Sequence, residues 1–168
     1  MIHIEQAGPS HVSGIISVCT KATWATYREL CSDDYLERVC REFYNEARVL
    51  DEVKHTSLDW GGYFTAVENE TVIGVAGGGM TGEKESELYV LYLDPVRRNE
   101  GIGTMLLGAV TSQQQSWGSA EQWVSVQKGN QLAIPFYEAK GFTYEGERIG
   151  YANTEDEDYV SLRYRRDI

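Results

Sequence analysis

Leu-Tyr-Val-Leu-Tyr-Leu-Asp-Pro-Val-Arg-Arg-Asn-Glu-Gly-Ile-Gly runs from Leu88 to Gly103. Residues 88–93 are apolar on both faces, the pattern of a central strand covered on each side. Tyr89 and Tyr92 are large for such a place, so a ring there is expected to line a cleft. Asp94-Pro95 ends the strand and a basic, glycine-spaced turn follows. Ile102, Met105, Leu106, Ala109 and Val110 then mark one face of an amphipathic helix that ends near Gly118. Free N–H groups at a helix start, helped by the helix dipole, bind anions. Gly101 and Gly103 remove side chains where a diphosphate must approach the backbone. Arg97 and Arg98 add positive charge. The stretch predicts a strand, an anion turn and a helix, with a phosphate-bearing cofactor on the turn.

On the C-terminal side, residues 122–127 read as another strand. Strand, helix and strand in this order favour a parallel pair joined by a crossover. Pro135 suits the first turn of a short helix, where its missing N–H does no harm. Gly141 suits the left-handed cap that ends it. Residues 142–148 and 159–164 read as the last two strands.

On the N-terminal side, residues 63–67 and 72–76 form a predicted antiparallel hairpin about the polar turn Glu68-Asn69-Glu70. Residues 2–6 suit a first strand. Val12, Ile15, Ile16 and Cys19 after Ser10 suit a first helix. Ser32-Asp33-Asp34 opens a second helix, with Tyr35 or Leu36, Val39, Phe43 and Ala47 on its apolar face. The expected order is β-α-α-β-β-β-α-β-α-β-β. This is an α/β fold: a mixed, mostly antiparallel sheet of about seven strands, a central parallel β-α-β pair and flanking helices.

The 168 residues, 42% of them apolar, suit a single domain over 1–168 with one core. No apolar run is long enough to cross a membrane. No basic segment with a following apolar stretch marks a signal peptide, so a cytoplasmic location is expected. A net charge of −11 argues against nucleic acid as partner. Much of the acid sits in solvated stretches such as Glu155-Asp156-Glu157-Asp158. Cys19, Cys31 and Cys40 lack paired metal-ligand spacing and read as free, mostly buried thiols. His3, His11 and His55 are scattered, and no metal site is expected.

Two nucleotide-binding loops fail on the residues of the turn. A nucleotide hydrolase loop needs Gly-Lys-Ser or Gly-Lys-Thr, and Thr104-Met105 follows Gly103. A dinucleotide fingerprint needs a third glycine where Leu106 stands, and an acid near Gln127-Lys128. Arg98-x-x-Gly101-x-Gly103 instead resembles the Arg/Gln-x-x-Gly-x-Gly/Ala signature of the GNAT acetyltransferase superfamily. The segment from Asn130 to Phe142, with Asn130, Ala133, Phe136-Tyr137 and Gly141-Phe142, is similar to that family's Asn-x-x-Ala-x-x-Phe-Tyr-x-x-x-Gly-Phe block. The resemblance is close over about residues 60–148. Two features depart from it: Asn99 stands where glycine is common, and Glu100 puts a carboxylate beside the anion. Asn tolerates left-handed backbone, so the turn survives the first. The Glu100 side chain is expected to point to solvent.

The resemblance implies acetyl-CoA as cosubstrate and direct acetyl transfer to an amine, a small molecule rather than a protein. The diphosphate would lie on the N–H groups of Arg98, Asn99, Glu100, Gly101, Ile102, Gly103 and Thr104. The pantetheine arm would pair with the strand edge at Leu91, Tyr92 and Leu93, which the family splays from the next strand. A backbone N–H near Leu93 would meet the developing oxyanion. Asn130 would contact the cofactor and Tyr137 would protonate the leaving thiolate. Freeing an amine of reference pKa ~10.4 at pH 7 costs ~4.6 kcal/mol, so a base is needed. Glu87 is the first choice, with Glu85 and Glu83 behind it. Trp24, Tyr27 and Tyr63 are expected around the acceptor, with Trp60-Gly61-Gly62 as a mobile rim. A non-catalytic acyl-CoA-binding module and a protein acetyltransferase are the rival readings. The edge of the last strand, residues 160–164, is a candidate for pairing across a homodimer.

Overall fold

The computed structural model describes residues 1–150 and 152–168. In chain order the elements are β1 (His3–Gln6), α1 (Val12–Tyr27), α2 (Asp33–Phe43), α3 (Glu46–Lys54), β2 (Tyr63–Glu68), β3 (Thr71–Met80) and β4 (Glu85–Leu93). They continue with α4 (Ile102–Ser116), β5 (Glu121–Gln127), α5 (Ala133–Ala139), β6 (Thr143–Ile149) and β7 (Val160–Asp167). One seven-stranded sheet runs in the order β1-β2-β3-β4-β5-β7-β6. Every neighbouring pair is antiparallel except β4–β5. The fold class expected from the sequence is therefore the one observed.

The helices clothe both faces of the sheet. Ile102, Leu106, Leu107 and Val110 of α4 pack with Ala66, Ala76 and Leu88. Ile15, Val18 and Cys19 of α1 and Val49 and Val53 of α3 pack with Val67, Val72 and Val75. Ala66 and its neighbour Val67 belong to different clusters, as the two-residue period of a strand requires. The β2–β3 turn places Asn69 and Glu70 at φ 51° and 63°. Positive φ at both central residues matches the right-handed twist of a hairpin.

Three local expectations are corrected. The second helix does not run through to Ala47; it stops at Phe43, and α3 starts at Glu46. Asn45 makes the break: its Oδ1 accepts the Arg48 N–H at 2.9 Å, while its Nδ2 donates to the carbonyls of Arg41 and Glu42. One side chain thus satisfies the orphan groups of two helix ends. Second, β7 is not an edge strand. It lies between β5 and β6, so its residues 160–164 have no free edge for a homodimer; the outer strands are β1 and β6. Third, β3 runs on through Gly77-Gly78-Gly79 to Met80.

That glycine run is there because other chain segments touch it. A Cβ on Gly78 would sit 2.2 Å from the carbonyl oxygen of Glu87, and one on Gly79 would sit 2.0 Å from that of Asp59. Gly79→Ala is therefore expected to destabilise the protein by about 1–3 kcal/mol through overpacking. Gly108→Ala, in the middle of α4 with open space beside it, is expected to stabilise by about 0.5–1 kcal/mol. Chemical denaturation of the two variants checks this opposite pair of signs.

Candidate active site

The site begins where two strands part. β4 and β5 pair from Glu85↔Glu121 to Leu88↔Val124 and no further. β5 continues to Gln127 with β7 as its partner, so the gap opens on the β4 side. On its other edge β4 carries a bulge: Val90 faces Gly77 and Leu88 faces Gly78, leaving Tyr89 as the extra residue. An extra residue exchanges the two faces of the strand beyond it. Leu88, Leu91 and Leu93 accordingly pack on the α4 side, while Val90 and Tyr92 pack on the α1–α3 side.

At the end of β4 the anion turn has the expected form. Asn99 and Gly101 adopt φ 64° and 79°. Gly101 is the cap of α4, and the first capping bond is the Met105 N–H to the Gly101 carbonyl. The N–H groups from Arg98 to Thr104 have no acceptor among the described residues. Gly103 has a second reason to lack a side chain, since a Cβ there would lie 3.3 Å from the Phe136 ring. Arg97 departs from expectation. It donates to both oxygens of Glu68 at 3.1 and 3.0 Å and to both oxygens of Glu100 at 2.8 and 2.9 Å. Its charge is taken by two carboxylates, and its hydrogen bonds hold both well into the ionised range. Glu100 is thus exposed but compensated, and Arg98 is the one cation lining the groove among the described residues.

A groove of about 330 Å³ runs from this turn along the parted strands. Leu91, Tyr92, Leu93, Arg98, Asn99, Gly103, Asn130 and Tyr137 all line it, together with Ala22, Thr26 and Tyr27 of α1. Glu100, Gly101, Ile102 and Thr104 do not; Ile102 is core, 1% exposed. Asn130 is buried, and its Oδ1 accepts the N–H groups of Leu132 and Ala133 at 3.2 and 3.1 Å, which caps the start of α5. The Tyr137 ring is buried between Phe136 and Phe142. Burial, and then the nearby Tyr27, push its phenol well above the usual value. It stays protonated across the physiological range. Free N–H groups, two left-handed turn residues and an unpaired strand edge on one groove fit a phosphorylated, peptide-like cofactor arm.

A second cavity, of about 540 Å³, meets the first at Tyr27, Leu88, Tyr89, Val90, Tyr92 and Ser125. Aromatic rings surround it: Tyr35, Phe43, Tyr44, Trp60 and Tyr63 join Tyr27, Tyr89 and Tyr92. Three carboxylates, Glu52, Asp59 and Glu87, and two arginines, Arg48 and Arg148, line it. Glu87 is buried, and both its oxygens accept from Arg163 at 2.9 and 3.0 Å. Arg148 stands 3.6 Å away. Arg163 reaches Glu87 from β7 across β5, donating also to Ser125 Oγ and lying over the Trp123 ring. Glu83 and Glu85 line neither cavity. Tyr27 and Tyr63 are in place, but Trp24 is not: it lies with Thr20, Lys21 and Arg28 in a separate surface depression. The rim loop is tied down, with the Gly61 N–H on the Gly78 carbonyl and Gln113 and Gln6 on the Gly61 carbonyl. Burial raises the Cys19, Cys31 and Cys40 thiols, Cys31 to about 11, so none is a ready nucleophile.

Sequence reading missed Glu52, Arg48 and Arg163. The first two sit on α3, whose signal was present as Asn45 followed by Val49 and Val53 at helical spacing. Arg163 needs the adjacency of β5 and β7, which no local pattern carries.

The Acetyltransferase (GNAT) family description matches residues 23–142. The chain is 27% identical over 145 residues to the spermidine N(1)-acetyltransferase of Thermoplasma acidophilum, covering 86% of this chain and 89% of that one. It is 32% identical over 72 residues to the ribosomal protein bS18-alanine N-acetyltransferase of Escherichia coli, covering 43% and 49%. Among solved structures, the PaiA N-acetyltransferase of T. acidophilum in complex with coenzyme A superposes with a TM-score of 0.84 at 24% identity, over 100% of this chain and 99% of that one. With the parted strands, the anion turn and the family match in agreement, this chain belongs to the GNAT family of acetyltransferases, whose cosubstrate is acetyl-CoA.

Proposed function

We propose that this enzyme transfers the acetyl group of acetyl-CoA directly to a primary amine of a small cationic molecule. The observation that carries this reading is the meeting of two unlike cavities at the bulge of β4. One offers N–H donors to an anion; the other offers a cation aromatic rings and three carboxylates, set among Arg48 and Arg148. The acceptor cavity is walled by α1, α2, α3 and β4, with Ala152 beside them, which favours a small acceptor over an extended polypeptide. The similarity to a spermidine acetyltransferase over most of both chains points the same way.

Acetyl-CoA supplies an activated thioester carbonyl. The acceptor enters as an ammonium and must lose a proton before its nitrogen can attack. Glu87, on the acceptor face at the start of the parted segment, is proposed to take that proton, with Arg163 fixing the carboxylate. A C–N bond forms, the C–S bond breaks, and the thiol sulfur leaves with the electron pair. Tyr137, protonated and lining the cofactor groove, is proposed to donate its hydroxyl proton to that sulfur. The second proton of the attacking nitrogen, lost as the C–S bond breaks, restores the Tyr137 hydroxyl; net, one ammonium and one thioester give one amide, one thiol and one proton. None of the cysteines lines either cavity, so no enzyme acyl intermediate is invoked.

Tyr137→Phe should lower kcat by about 10²–10⁴-fold, the usual worth of a general acid, with coenzyme A affinity retained. A kcat close to wild type, read by thiol release, removes Tyr137 from the acid role. Glu87→Gln should abolish the acidic limb of the pH profile of kcat/KM. An unchanged limb assigns the base elsewhere. The same variant leaves the largely buried Arg163 unpaired, so thermal unfolding should show a loss on the order of 3 kcal/mol.

A further inference from the structure

Among the three carboxylates of the acceptor cavity, Glu52 differs from the others. Glu87 has both oxygens on Arg163. Asp59 sits on the exposed rim. Glu52 projects from α3, partly buried, with Oε1 accepting the Tyr63 hydroxyl at 3.0 Å. Arg48 approaches the same oxygen only to 3.8 Å, and its guanidinium lies over the Phe43 ring at 4.3 Å. Oε2 has no protein partner among the described residues. The helix that carries Glu52 is held in place by the Trp60 indole N–H, which donates to the Glu52 carbonyl at 2.8 Å. Trp60 and Tyr63 meet edge to face beside it, at 4.9 Å between ring centres.

We propose that Glu52 seats a second ammonium group of the acceptor, which makes the preferred substrate a diamine or polyamine. The proposal rests on the amine-acetyltransferase reading above and adds to it the residue that selects among amines. Arg48, which also lines the cavity, pairs with Oε1 only at 3.8 Å, and Oε2 is left for a second cation. Burial is the main influence on its proton affinity, and it raises it, which means that the charged form is under-solvated. An ammonium on Oε2 relieves that deficit, and the Trp60 and Tyr63 rings offer their faces or edges to its methylene chain. The attacking nitrogen meanwhile reaches the junction of the cavities at Tyr89 and Val90, where Glu87 stands on the same wall. Two carboxylates on two different elements, α3 and β4, thus serve two nitrogens. The cavity, larger than the cofactor groove beside it, has room for a molecule longer than a simple monoamine.

The test compares 1,4-diaminobutane and spermidine with butylamine as acceptors. Wild type should prefer the two polyvalent amines. Glu52→Gln keeps the acceptor for the Tyr63 hydroxyl but removes the charge. It should lower kcat/KM for the diamine relative to butylamine by about 10–100-fold, the range of one charge-assisted hydrogen bond, mostly through KM. Butylamine turnover should be nearly unchanged, which also reports an intact fold. Asp59→Asn should keep the preference. Should Glu52→Gln fail to bind coenzyme A, Glu52→Asp replaces it, and retention of part of the preference is expected. A Glu52→Gln enzyme with the wild-type preference, or loss of the preference in Asp59→Asn instead, overturns the assignment of Glu52 alone. A wild type that acetylates none of the three amines overturns the acceptor reading as a whole.

Discussion

Tyr89 is one residue more than β3 can pair with, and it stands where β4 stops pairing with β5. The two irregularities act together. Parting the strands leaves backbone N–H and C=O groups on one edge of β4 without a ladder partner. In a closed sheet such groups cost about 1–3 kcal/mol each if buried unsatisfied. Here they open onto a groove where water or an amide-bearing arm can meet them. The bulge then exchanges the faces of β4, so that Glu87, Val90 and Tyr92 share one side and Leu88, Leu91 and Leu93 the other. One extra residue thereby turns Val90 and Tyr92 toward α1 and α3, and Leu91 and Leu93 toward α4, along a single strand. The glycines of β3 allow this, because Gly78 lies against the Glu87 carbonyl where no Cβ fits.

Charge is distributed with the same economy around the parting. An overall charge of −11 disfavours an anionic cofactor at long range. The turn answers locally, with unpaired N–H groups and Arg98, and Arg97 compensates the two carboxylates nearest to it. In the second cavity carboxylates and arginines alternate, and the pairing is uneven. Arg163 is committed to Glu87, Arg48 lies over Phe43 and pairs with Glu52 Oε1 only at 3.8 Å, and Glu52 Oε2 has no partner among the described residues. The negative surface suits a cationic acceptor of the kind proposed, whereas an anion at the turn would be held by short-range backbone contacts that screening hardly weakens.

The legible part of the molecule was the part written in local chemistry. Residues 88–103 carry strand, turn and helix signals in sequence, and the groove residues from Leu91 to Asn130 and Tyr137 followed from them and from the resemblance. Asn99 was read as tolerant of left-handed backbone, and it adopts that conformation. What escaped was set by partners distant in the chain. The insertion of β7 between β5 and β6 cannot be read from the alternation of residues 160–167, and with it went the ion pair of Arg163 and Glu87. Arg97 looked like a cofactor contact because its two acidic partners come from different elements. Trp24 and Tyr27, three residues apart on α1, carry the same local signal, yet only Tyr27 reaches the two cavities. The break between α2 and α3 lies in Asn45, whose capping signal is masked by Ala47 continuing the apolar spacing.

The central claim is that the parted edge of β4 and the turn after it form one seat for coenzyme A. Amide hydrogen exchange, followed residue by residue with and without coenzyme A, tests it most directly. The account predicts new protection at those amides of residues 89–93 that face away from β3 and at residues 98–104, with β7 and the β2–β3 hairpin unchanged. Protection confined to other segments, or none at saturating coenzyme A, would contradict it.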